Sequence, residues 1–200
     1  MNGKKTAGLI LAAGRSSRMG RMKMLLPLGG ETVLRMGVLT MLSAGASPII
    51  VVTGRDAEAV RENLSDLDVI FVHNKDFETT QMLDSVKLGL SMVPDDCERV
   101  LFAPGDAPLY TKETVLSVMN SDAVYAVPVC GGKRGHPVCF SADIIKDIIE
   151  YDKEGGLAGA LKNEGTADEV PTEDEGTLMD ADTLEDYERL TAYYNSRMRA

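Results

Sequence analysis

Five stretches of the chain are continuously apolar rather than alternating: GLILAA (8–13), PIIVVTG (48–54), DVIFVH (68–73), RVLFAPGD (99–106) and AVYAVPV (123–129). Runs this short, bounded by Gly, Pro or Asp, predict strands buried on both faces. Between them apolar residues fall at spacings of three and four. Leu34, Val38, Met41 and Leu42 lead to a stop at Gly45, and Met82, Val86, Leu90 and Val93 lead to Pro94. Both are helical patterns. TKETVLSVMN (111–120) opens on an N-cap candidate, Thr111, and SADIIKDIIEY (141–151) opens on Ser141. A last helix is expected over 183–197, carrying Tyr187, Leu190 and Tyr194. Strand and helix in alternation predict an α/β fold, a single domain over 1–200 with three layers, α/β/α, around a mostly parallel, Rossmann-like sheet. The acidic stretch NEGTADEVPTEDEGT (163–177) reads as an exposed loop or a short edge hairpin.

Charge then narrows the function. The chain holds 31 acids against 21 bases, a formal charge of −10, which disfavours nucleic acid as a partner because phosphate backbones select basic surfaces. No apolar run approaches the roughly 20 residues that span a bilayer. Three cysteines, Cys97, Cys130 and Cys139, lie in no metal-binding or disulfide-framework spacing. The basic start and short apolar run imitate a signal peptide, but Ala7–Ala13 is too short and arginines follow at once, so the expected compartment is the cytoplasm.

Against that acidic background, LAAGRSSRMGRMK (11–23) is a local exception, with three Arg, one Lys and two Gly directly after the first strand. In open α/β sheets ligands bind at the carboxyl ends of strands, and a loop of backbone donors and cations there suits a phosphate. Neither familiar phosphate motif fits. Gly14 to Gly20 is one residue too long for a Walker A loop and Arg21 follows in place of Lys, while GxGxxG is absent.

The string instead resembles L-A-x-G-x-S-x-R-M-G-x-x-K, matched at Leu11, Ala12, Gly14, Ser16, Arg18, Met19, Gly20 and Lys23, a signature of the MobA-like nucleotidyltransferase superfamily. TTQMLDSVKLGL (79–90), GDAPLYTKETV (105–115), GHPVCF (135–140) and MDADTLEDYERL (179–190) resemble its further motifs in the same order. Ala13, with KMLLPLGGETVL (23–34), is similar to the cytidylyltransferase branch of molybdenum cofactor synthesis rather than to the guanylyltransferases, which have Gly in that place.

This resemblance implies transfer of CMP from CTP to a molybdopterin-type acceptor phosphate, with Mg²⁺ or Mn²⁺ as cofactor and pyrophosphate as leaving group. Leu11, Ala12, Ala13, Gly14, Arg15 and Ser16 would hold the nucleotide, with Met82 and Ser85 on the base and ribose side. Lys23 and Arg18 would neutralise the phosphates and Asp106 would hold the metal, joined by Asp180 or Asp182. His136 would line the acceptor side, in a role left open. A molybdenum hydroxylase is the implied recipient of the product.

The pattern is broken in two places that bear on substrate. Gln81 replaces the Gly before Met82, and Leu157 stands where the cytidylyltransferases carry an Arg, removing a bidentate partner for an acceptor phosphate. The alternatives are a guanylyltransferase of the same pathway, a sugar- or alditol-phosphate nucleotidyltransferase, and a non-catalytic nucleotide-binding accessory protein for molybdenum enzymes. Blander roles also exist residue by residue: Asp106 suits a turn, Asp182 or Thr183 suits a helix cap, and the Met cluster suits core filling.

Overall fold

The computed structural model describes residues 4–14 and 22–198. Strand β1 (Thr6–Ala12) is buried at every position. A small antiparallel hairpin follows, β2 (Pro27–Leu28) with β3 (Glu31–Thr32), and leads into α1 (Val33–Ser43). The Thr32 hydroxyl accepts the Arg35 N–H at 3.2 Å, closing the first turn of α1, and Gly45, at φ +91°, provides the left-handed exit that lets the chain turn back. Next come β4 (Ile49–Thr53), α2 (Ala57–Asn63), β5 (Val69–His73) and α3 (Met82–Leu90). The second half runs β6 (Arg99–Pro104), α4 (Lys112–Met119), β7 (Tyr125–Cys130), β8 (Lys133–Arg134), β9 (Val138–Ser141), α5 (Ile145–Glu150), α6 (Gly156–Glu164), β10 (Asp168–Pro171) and α7 (Leu184–Arg197).

The main sheet has the order β10-β7-β9-β6-β1-β4-β5, with β8 paired to β7. β1 is parallel to β4 on one side and to β6 on the other, and only β9 and β8 run against the common direction. Helices cover both faces, as the apolar runs require. Leu34, Val38, Met41, Val60, Val115 and Val118 from α1, α2 and α4 pack on one face. Val86, Leu90, Ile148 and Leu161 from α3, α5 and α6 pack on the other. A smaller cluster of Leu28, Val33, Leu109, Ala181 and Leu190 fastens α7 to the hairpin, where the Tyr187 hydroxyl donates to the Pro27 carbonyl at 2.5 Å.

The five apolar runs all become strands and the five helical patterns all become helices, Thr111 capping α4 through the Thr114 N–H. Four features differ from the sequence expectation. GHPVCF, for which the apolar pattern predicted no element, carries in its second half the start of β9, a strand wedged between β6 and β7. The acidic stretch holds no hairpin; it contributes β10, a single edge strand parallel to β7, whose Val170 packs against the core on the α1 face. Helices α2 and α6 were not legible, being short and opened by no conventional cap. Ser141 caps a 3-10 turn, Ala142–Ile144, rather than α5 directly.

At the carboxyl end of the sheet the loops approach within contact distance. A Cβ on Gly105 would lie 2.8 Å from the Leu11 carbonyl oxygen and 3.0 Å from the Met24 sulfur, while the Gly105 N–H donates to that same carbonyl at 2.9 Å. Gly105→Ala should therefore cost about 1–3 kcal/mol by overpacking. The expected result is a lower denaturant midpoint with an unchanged slope.

Candidate active site

The register of the central strands sets where the site lies. Ala12 pairs with Thr53 and Leu11 with Pro104, so β4, β1 and β6 end at one level. Beyond that level a cleft of about 270 Å³ is lined by Leu11, Ala13, Gly14, Lys23, Met24, Phe77, Thr80, Gln81, Met82, Ser85, Pro104, Asp106 and Asp182. Eight of the residues expected from the sequence thus meet around one opening: Leu11, Ala13, Gly14, Lys23, Met82, Ser85, Asp106 and Asp182. Ala12 does not. Alternation along β1 turns its side chain into the α1 face, among Ile10, Leu34 and Val38. Arg15, Ser16 and Arg18 lie outside the described residues.

Lys23 organises the charges. It opens a 3-10 turn, Lys23–Leu25, and its ammonium bridges the Asp106 Oδ2 atom and the Asp182 Oδ1 atom, the latter at 2.6 Å. Side chains of Lys23 and Asp106 are each 14% exposed, so solvent does not screen this pair as it does a surface ion pair. Burial pulls the Lys23 pKa down, but the two carboxylates outweigh it and hold the ammonium above its ordinary value. Asp180 is not in contact with the ammonium. Its pKa is raised by desolvation first and then by the charges of Asp182 and Asp106, so it belongs to the same acidic group.

Asp106 and Asp182 come from distant parts of the chain. Asp106 follows β6, and Asp182 follows a segment whose Ala181 N–H donates to the Asp106 carbonyl at 3.0 Å. The helix cap that Asp182 was suited for is filled by its neighbour. Thr183 accepts the Asp186 N–H at 3.1 Å, and Asp186 returns to the Thr183 N–H at 3.1 Å, a capping box that leaves Asp182 free to face Lys23.

The opposite wall is polar and pre-ordered. Asn74, a buried side chain at the end of β5, accepts the Asp76 N–H at its Oδ1 atom, 3.0 Å away. A backbone N–H can only donate, so this bond fixes the amide orientation. The Nδ2 atom then donates to Thr80 at 3.0 Å and to Ser85 at 2.9 Å. Thr80 spends its own proton on the Asp76 carbonyl, whereas the Ser85 hydroxyl, having accepted, keeps a proton to offer. Asn74, Phe77 and Thr80 were missed in the sequence. Gln81, noted there only as a departure, opens α3 with its N–H bound by the Asp84 carboxylate at 2.8 Å.

His136 does not line this cleft. Its ring packs edge-on against Phe102, with centroids 6.2 Å apart, and its backbone N–H donates to the Thr177 carbonyl at 2.8 Å. Burial holds its pKa below the ordinary imidazole value, opposed in part by Asp106, and its Nδ1 atom is buried without a partner. Leu157 packs against the α3, α5 and α6 face and carries no charge toward the site.

Among the described residues no group of three His, Cys, Asp or Glu side chains forms a metal cage. The pair Asp106 and Asp182 already gathers one cation, the Lys23 ammonium, with hard oxygen atoms alone. That donor set fits Mg²⁺ or Mn²⁺, ions that take few protein carboxylates and complete their shell with phosphate oxygens and water.

Comparison with known proteins agrees with this geometry. The chain is 30% identical over 183 residues to the molybdenum cofactor cytidylyltransferase of Escherichia coli K12, covering 90% of this chain and 92% of that protein. It is equally 30% identical, over 193 residues, to a probable molybdenum cofactor guanylyltransferase of Aquifex aeolicus, covering 93% of this chain and 90% of that protein. A nucleotidyl transferase from Methanothermobacter thermautotroptrophicus superposes with a TM-score of 0.84 at 27% identity, over 98% of this chain and all of its own. Residues 8–170 match the MobA-like NTP transferase domain, and the chain is a nucleotidyltransferase of that family.

Proposed function

We propose that this chain transfers CMP from CTP to the phosphate of a molybdopterin-type acceptor, releasing pyrophosphate. The observation that carries the reading is the Lys23 ammonium held between Asp106 and Asp182 at the end of the central strands. In-line displacement at an α-phosphorus needs charge neutralised on the phosphoryl oxygens and the two reactants aligned, with little covalent help. Asp106 and Asp182 would hold Mg²⁺ or Mn²⁺, with Asp180 beside them, and the ion would supply Lewis-acid stabilisation of phosphate charge. Lys23, once its carboxylates take another cation, is free to meet the α-phosphate. Leu11, Ala13 and Gly14 form the wall at which the triphosphate enters, with Arg15, Ser16 and Arg18 following in the chain. Ser85 offers its proton to an acceptor atom of the base or ribose.

Ala13 and the likeness to the cytidylyltransferase favour CTP, although the guanylyltransferase is as similar in identity, so the nucleotide is the point to test. On the acceptor side His136 is the proposed residue, acting from behind the cleft wall because its Nδ1 atom is buried. Leu157 leaves the acceptor phosphate to be met by other groups. The segment beyond residue 170 supplies Asp180 and Asp182, so the proposed functional unit is the whole of 1–200. The cytoplasm is the proposed compartment, since Cys97, Cys130 and Cys139 are all free and buried, and a molybdenum hydroxylase is the proposed recipient of the product.

Thermal stability with each of CTP, GTP, ATP and UTP, with and without Mg²⁺, tests the nucleotide, because ligand binding to the native state raises Tm by mass action. A rise selective for CTP with Mg²⁺ is expected. Selectivity for GTP would replace this reading with the guanylyltransferase one, a rise without pyrophosphate release would replace it with the nucleotide-binding accessory role, and no rise with any nucleotide would overturn both.

Lys23→Ala and Asp106→Ala should each lower pyrophosphate release by about 100-fold or more, as for loss of one preorganised charge-stabilising donor. In the absence of nucleotide, Lys23→Ala should bind Mn²⁺ more tightly than the wild type, because the ammonium no longer competes for the two carboxylates. Calorimetric titration with Mn²⁺ checks this, and weaker binding in the variant would contradict the shared-site assignment.

A further inference from the structure

Residues 172–183 connect β10 to α7 and carry both Asp180 and Asp182, yet they contain only one short turn of helix, Glu175–Leu178. Hydrogen bonds to neighbouring loops hold the segment in place. Asp174 makes the densest set. Its side chain is 5% exposed, and its Oδ2 atom accepts from the Thr111 N–H at 2.7 Å, the Thr111 hydroxyl at 2.9 Å and the Thr114 hydroxyl at 2.8 Å. Its Oδ1 atom has no hydrogen bond and faces the Arg197 guanidinium of α7 at 3.6 Å. Its carbonyl accepts from the Thr177 N–H at 3.1 Å and the Thr177 hydroxyl at 2.7 Å.

The location of those partners matters more than their number. Thr111 caps α4 and ends the loop that Asp106 begins. Ala181, between Asp180 and Asp182, donates to the Asp106 carbonyl at the start of that loop. The two carboxylate-bearing segments are therefore joined at both ends of residues 106–111, by Ala181 at one end and by Asp174 at the other. Without the Asp174 bonds, Asp182 would be held to Asp106 by the Ala181 bond, the packing of Ala181 on Leu109 and the shared Lys23 ammonium, while the His136 backbone N–H bond to the Thr177 carbonyl would tether the segment to a different loop. Asp174 makes no contact with the cleft.

We infer that Asp174 is a positioning residue: it fixes the spacing of Asp106 and Asp182, and through it the capacity of the site to hold a divalent cation. This rests on the metal-binding part of the transfer reading. Outer-shell partners that orient ligating carboxylates are worth about 10- to 100-fold in metal affinity. Asp174→Ala should accordingly weaken Mn²⁺ binding by about 10-fold or more, with the KM for CTP unchanged once Mn²⁺ is saturating. It should also speed hydrogen exchange at the Ala181 amide while β1 amides keep their protection. Asp174→Asn keeps an oxygen facing the Thr111 N–H and should recover most of both effects.

A loss of global stability alone would lower Tm without separating Mn²⁺ affinity from CTP affinity, or Ala181 from β1. A folded Asp174→Ala protein with wild-type Mn²⁺ affinity and wild-type Ala181 exchange would overturn the inference. Should that variant fail to fold, Thr114→Val, which removes one of the three donors, should show the same two effects in smaller measure, and their absence would overturn it equally. If the wild type releases no pyrophosphate from any nucleotide, the transfer reading falls, while Mn²⁺ titration and Ala181 exchange still decide the role of Asp174.

Discussion

Strand β1 is hydrogen-bonded in parallel on both sides, to β4 from Gly8 through Ala12 and to β6 from Thr6 through Leu11. A parallel strand at the centre of a sheet has no face and no edge open to water, which is why its sequence is apolar throughout and why its register admits no slip. That register brings three strand ends to one level. Ala13 and Gly14 at the exit of β1, the loop after β6 and the opening of α3 all take their positions from it. Gly105 completes the arrangement, because only a residue without a Cβ allows the loop after β6 to pack directly on the Leu11 carbonyl.

On this platform the chemistry is electrostatic. In a chain of charge −10, two carboxylates brought together at a half-dry cleft repel each other unless a cation lies between them. Lys23 supplies that cation in the protein alone, which explains how a site suited to a divalent ion stays intact without one. Under the proposed function the same carboxylates would hold the metal, and Lys23 would then be free to meet the phosphates. The remaining acidic surface works in the same direction by disfavouring larger polyanions.

The opposing wall relies on hydrogen-bond polarity rather than charge. One unambiguous donor, the Asp76 N–H, orients the Asn74 amide, and the amide in turn determines which hydroxyl retains a proton. A buried network of this kind is stiff because every alternative arrangement leaves a polar atom unpaired. The hydrogen-bonded wall and the charged wall thus come from different elements, β5 with α3 on one side and the loops after β6 and β10 on the other, and they face each other across the cleft.

The sequence by itself determined the strands and helices that bury the most apolar surface, because periodicity records burial directly: the continuous runs became strands and the three-and-four spacings became helices. It also singled out Lys23, Ser85, Asp106 and Asp182 as candidates because they stand in motifs, and the fold brings the four to one cleft. Only the tertiary structure decided what depends on neighbours far along the chain. α2 and α6 bury too few residues to show a helical period, Val60 in one and Ala160 and Leu161 in the other, and β9 and β10 are strands because a sheet position awaited them. Asp182 could be separated from Asp180 only when Thr183 was seen to cap α7 and Ala181 to bond Asp106. Asn74 and Asp174 carry no motif at all, and their importance lies in partners up to 63 residues away, a distance across which a single sequence holds no physical signal.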